Sequence, residues 1–206
     1  MTRSTRNNAR ASALVLAGVL VLVACGSDDS STTPAGSDAT EASTTADGSS
    51  SDFSEPDVFF AQHMIPHHEQ AIEMAEIALD PAVGASDEVR ALATEIEGAQ
   101  DSEIDLMTQW LTAWGEPVEM DMTDEHSMES MQGMMTVEQM DELAATTGGA
   151  FDTLWLEMMI EHHRGAIAMA EDVLAEGTNA DVSDLAGQII DAQLTEIDEM
   201  AALLAG

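Results

Sequence analysis

Apolar residues recur at three- and four-residue intervals from about residue 57 to the end of the chain, and no stretch alternates with a period of two. That spacing predicts helices throughout. Asp57 is expected to cap a first helix running to about Leu79, where Asp80 and Pro81 stop it. Ser86 opens a second, from Asp87 to Trp114, ended by Gly115 and Pro117. Thr136, with Gln139 three residues on, has the capping-box pattern and starts a third helical stretch. This stretch is interrupted near Thr147-Gly148-Gly149, resumes at Phe151 and stops near Gly177. Asn179 or Asp181 caps a last helix to about Leu204. Pro66 removes a backbone donor inside the first helix and is expected to bend it.

The pattern occurs twice. Met64-Ile65-Pro66-His67-His68, followed by Ala71, Ile72, Met74 and Ala75, returns 95 positions later as Met159-Ile160-Glu161-His162-His163, followed by Ala166, Ile167, Met169 and Ala170. Val89, Leu92, Ala93, Ile96, Gln100, Glu103, Ile104 and Met107 return 93 positions on as Val182, Leu185, Ala186, Ile189, Gln193, Glu196, Ile197 and Met200. One helix pair cannot cover its own apolar stripe, but two pairs packed together can. The expected fold is therefore all-α: an antiparallel four-helix bundle built from two helix-pair repeats, with a pseudo-twofold axis that brings the two His-His motifs together.

Four of the six histidines stand in these motifs. On a helix, Met64, His67 and His68 share one face, as do Met159, His162 and His163, and residues three or four apart can share a ligand. Neutral imidazole binds several transition metals, whereas thioether sulfur selects mainly Cu(I). These six residues are the candidate core metal site. His63 and Met158, one turn earlier, could contribute. Met74, Met107, Met169 and Met200 at helical spacing read as core. Buried, hydrogen-bonded histidines with no metal are the competing reading for the pairs. Trp110, Trp114 and Trp155 are expected to pack the bundle ends.

Between the repeats, Met120, Met122, His126, Met128, Met131, Met134 and Met135 crowd into 16 residues. A loop has little core to fill, so a second, Cu(I)-wrapping site is one reading. Gap-filling by flexible methionine is the other.

The chain begins with Arg3, Arg6 and Arg10 ahead of a short apolar run, which reads as a signal peptide over residues 1–24 rather than a spanning helix. Leu22-Val23-Ala24-Cys25 resembles a bacterial lipobox. That resemblance implies cleavage before Cys25, its lipidation, export and a location on the outer face of the cytoplasmic membrane. Cys25 is the only cysteine, so no internal disulfide forms. Residues 25–55 are acidic and rich in Ser and Thr, a composition expected of a disordered tether with a reach of roughly 30 Å. Residues 56–206 remain as one metal-binding domain. After the leader only Arg90 and Arg164 stand against 40 Asp and Glu residues. Such a surface repels nucleic acid and draws cations.

The chain resembles the domain of unknown function 305 (DUF305) family. The likeness is carried by Phe60, Met64, Ile65, His67, His68, Ala71, Ile72, Met74 and Ala75, by their second copy from Met158 to Ala170, by Gln100, Glu103, Ile104, Met107 and Trp110, and by Gly133-Met134-Met135. It covers about residues 56 to 206 and implies a ferritin-like four-helix bundle in an exported protein, with copper binding and copper resistance in some members.

Three functions follow as expectations. The first is a lipid-anchored copper buffer or chaperone with a copper-delivery partner protein, another transition metal being the variant of that reading. The second is a ferritin-like metal-dependent oxidase. Carboxylate-bridged iron uses Glu-x-x-His, and here Met64 and Met159 stand where the Glu would be. The third is a metal-free structural or sensory bundle. No nucleophile with a base partner and no phosphate-binding loop is present, and no catalytic residue is assigned.

Overall fold

A computed structural model describes residues 52–119 and 131–206. The leader, Cys25, nearly all of the tether, and Met120, Met122, His126 and Met128 lie outside the described residues. Those described form five helices: α1 (Glu55–Leu79), α2 (Asp87–Trp114), the short α3 (Val137–Ala145), α4 (Gly149–Glu176) and α5 (Ala180–Ala205). No strand occurs among them. None of these helices is long and apolar enough to cross a membrane.

The helix ends follow their local chemistry. Ser86 accepts the Val89 N–H, Thr136 the Gln139 N–H, and Asn179 those of Asp181 and Val182. Gly115 closes α2 in the left-handed conformation, with φ 76°. The cap of α1 is Ser54 rather than Asp57. Asp57 stands three residues inside, where its carboxylate accepts the Ser54 N–H at 2.8 Å and the Ser54 hydroxyl at 2.7 Å. It also accepts the backbone N–H groups of Thr178 (3.1 Å) and Asn179 (3.2 Å). One buried carboxylate thus ties the start of α1 to the start of α5. Burial pushes its carboxyl up, but these hydrogen bonds outweigh that and hold it below the usual range. α1 runs through Pro66 without a break.

α1 packs on α2, and α4 on α5, as two hairpins; α1 and α4 join them. The core has two parts. Ala71, Met74 and Ala78 of α1 meet Val89, Leu92 and Ile96 of α2, Phe151, Trp155 and Met159 of α4, and Met200 of α5. Phe60 and Met64 meet Met107 and Leu111, Ala166 and Val173, and Val182 and Ile189. The end of α1 therefore faces the start of both α2 and α4, which makes both neighbours antiparallel to it. Trp155 is more than an end cap: fully buried, it donates its indole N–H to the Met74 carbonyl at 2.9 Å, locking α4 to α1. Trp110 and Trp114 are half-buried, and Phe53 stacks on Trp114.

Candidate metal centre

Between the two apolar clusters lies a polar layer. His67 and His68 on α1 and His162 and His163 on α4 are all 0% exposed. The rings of His67 and His162 approach to a centroid distance of 3.8 Å, and those of His162 and His163 to 6.4 Å. The pseudo-twofold relation thus places the two motifs against each other, as their spacing predicts.

Each ring outside the central His67–His162 pair has a carboxylate partner from the second helix of its own hairpin. His68 Nε2 lies 2.7 Å from Glu103 Oε2, and His163 Nε2 lies 2.7 Å from Glu196 Oε2. His67 Nε2 lies 3.2 Å from the Gln132 carbonyl. Carboxylate and carbonyl oxygens accept, so these three nitrogens donate. Every Nδ1 of the four rings is buried with no partner, and His162 Nε2 is bare as well. Gln100 and Gln193, one turn before the two glutamates, are 3% exposed; both amide atoms of Gln100 and Oε1 of Gln193 lack partners. A bare buried polar atom costs about 1–3 kcal/mol. So many in one layer are not there for stability.

His67 and His162 favour the neutral form. Burial, together with the neighbouring His68 and His163, pushes His67 down to about 3. Burial and the three other imidazoles push His162 well below its ordinary value. Uncharged rings keep their lone pairs, which is the form a metal binds.

A strap covers the layer. After α2 the chain returns over residues 131–136, and Gly133 (φ 84°) lies against α4 at Gly165. A Cβ at Gly165 would overlap the Gln132 carbonyl, and one at Gly133 would come within 2.8 Å of the Glu161 oxygen. The first repeat has Gln70 where the second has Gly165. Gln70 bonds the strap from the other side, accepting the Met135 N–H at 2.7 Å and donating to its carbonyl at 2.9 Å.

The other candidates are dispersed. Met64 and Met159 are fully buried in the two clusters that flank the histidines. Met158 is buried with Met159, and Met134 and Met135 are buried too, Met135 within the α1–α4 core, where the packing reading suffices for it. Met131 is half-buried. His63 stands apart from the four paired histidines: its Nδ1 donates to the Phe59 carbonyl at 2.7 Å, and its ring stacks on Phe59 beside a separate surface cavity lined by Glu55, Met169 and Asp172. Among the described residues, no three His, Cys, Asp or Glu side chains converge as a preformed cation site. Sequence reasoning did not assign roles to Glu103, Glu196, Gln100 and Gln193. Their signal was present, because polar residues repeat there on a helix face that is otherwise apolar.

The family model for "Domain of unknown function (DUF305)" matches residues 57–204. The chain belongs to that family. A DUF305 protein from Streptomyces coelicolor is 35% identical with a TM-score of 0.66, over 73% of this chain and 91% of its own. A DUF305 fragment from Deinococcus radiodurans is 32% identical with a TM-score of 0.66, over 74% and 97%. CopM in its Cu(II)-bound form is 33% identical with a TM-score of 0.61, over 72% and 95%. CopM is also known in Cu(I)-bound, Ag-bound and apo forms. No curated protein matches the chain.

Proposed function

We propose that this family member is an exported, lipid-anchored copper-binding protein that sequesters copper outside the cytoplasm or hands it to a delivery partner. The observation that carries this reading is the set of four buried imidazoles whose Nδ1 atoms have no protein partner. His67, His68, His162 and His163 are the nitrogen donors. Met64 and Met159, one turn before each pair on the same helix faces, are the sulfur donors. An oxidising exterior with no free thiol leaves His and Met as the ligands for copper. The binding of Cu(I), Cu(II) and Ag by CopM supports the choice of metal. The acidic surface raises the local concentration of cations at the domain. Met131, with Met120, Met122, His126 and Met128 before it in the sequence, would act as a second capture segment, and Cys25 as the lipid anchor.

Nothing in this arrangement calls for turnover. Copper is cargo here, and the residues bind, orient and exclude water from it. The test is a Cu(I) titration of the protein against a colorimetric chelator, beside a variant with all four paired histidines changed to Ala. Tight binding that the variant loses supports the reading. Equal binding by both moves copper to the methionine loop, and absence of binding by either rejects copper.

A further inference from the structure

We infer that Glu103 and Glu196 are positioning residues: each fixes its histidine, His68 or His163, in the Nε2–H tautomer, and so keeps the Nδ1 lone pair free within the buried layer. The inference rests on the copper reading for its purpose, but not for its structural content.

A neutral imidazole carries one N–H, on either nitrogen. The nitrogen that is held by an acceptor keeps the proton, and the other is left as a donor to metal. Glu103 and Glu196 hold Nε2 at the same 2.7 Å, in positions 93 residues apart in the two repeats. A contact repeated at the same distance in both halves, on rings that are wholly buried, is a property of the repeat unit. The Gln132 carbonyl does the same for His67 from the strap. Three rings thus reach the same outcome by two routes, a carboxylate and a peptide carbonyl. Their common feature is the bare Nδ1.

The carboxylates do more than the carbonyl. Hydrogen-bonded to the far side of a ligating ring, a carboxylate raises the basicity of the ligating nitrogen, and loss of such a partner typically costs 10- to 100-fold in metal affinity. Two of them also place negative charge beside a layer that is to receive a cation and is otherwise poorly solvated. At about 20% and 19% exposure, both glutamates stand at the edge of the layer rather than inside it. They are placed to act through the rings and not as ligands themselves. Neither nitrogen of His162 is held by a carboxylate or by the strap.

The test uses protein labelled with ¹⁵N at histidine. In the metal-free parent, the imidazole shifts of His68 and His163 should report the Nε2–H tautomer. In Glu103→Ala, His68 should populate both tautomers while His163 stays as it was, and Cu(I) affinity should fall about tenfold or more. Glu103→Gln keeps an acceptor oxygen and should recover the tautomer and part of the affinity. A parent His68 or His163 protonated on Nδ1 overturns the inference, and this reading needs no variant to fold. A folded Glu103→Ala protein with the parent's Cu(I) affinity overturns it too. If the parent binds no copper, the copper reading falls alone, and the tautomers still decide the role of the glutamates.

Discussion

His67 and His162, the same position in the two repeats, lie against each other with ring centroids 3.8 Å apart and planes tilted by 40°. Neither ring is exposed, and His162 has no partner for either nitrogen. Such a pair weakens the metal-free fold. Changing His162 to Leu should therefore raise the stability of the metal-free protein by about 1–2 kcal/mol, since it removes bare polar atoms and keeps the volume. The same change should lower copper affinity. Urea unfolding without metal reads the first effect, and a stability loss of that size would reject the account.

Acid should unfold the metal-free protein through the same pair. The unfolded chain takes up protons near pH 6.5, whereas folded His67 does so only near 3, and burial holds His162 well below its ordinary value too. Their folded values are depressed, so stability is intact above pH 6.5 and falls as the pH drops toward the folded values. Each ring contributes about 1.4 kcal/mol per pH unit. A variant with both changed to Leu keeps the surface carboxylates and should show a flatter decline between pH 6.5 and 4. Parallel declines in denaturation midpoint would count against neutral, buried rings.

Gly165→Ala should displace the strap. The added Cβ overlaps a backbone carbonyl, which has no flexible end to move aside. A loss of about 1–3 kcal/mol is expected. Gly98→Ala, on α2 with open space around it, is the control and should be neutral or stabilising by up to about 1 kcal/mol. Thermal melts of the two variants separate a packing effect from a general one.

Asp57→Ala should cost about 3 kcal/mol, because the carboxylate accepts from Ser54 at one helix start and from Thr178 and Asn179 at another. Amide exchange should quicken at Thr178 and Asn179 in that variant. Protection equal to the parent's there would show that the link is dispensable.

The helices were legible because their spacing and caps are local: Ser86, Thr136, Asn179 and Gly115 each act within a few residues. The approach of the two histidine pairs was legible from the repeat. Asp57 was misassigned as a cap because two of its three partner residues, Thr178 and Asn179, lie 121 and 122 residues away. His63 shared the helix face of the pair in projection, yet its ring turned to the Phe59 carbonyl one turn back. The partners of His68 and His163 depend on how α2 and α5 rotate against α1 and α4, which no periodicity encodes. Glu103 and Glu196 could be seen to repeat, but not to touch anything.

The strap, like the short α3 that follows it, has no symmetric twin among the described residues. Gln70 grips it on one side, and Gly165 gives it a seat on the other. An ion entering or leaving the histidine layer by that route has to wait for two Gln70 bonds and the His67 bond to open together. Such local openings have a free energy of their own, separate from that of binding. On the copper reading proposed above, residence time and affinity would be set separately, the first by Gln70 and the second by the histidines. A layer covered in this way would release an ion more slowly than its affinity alone implies.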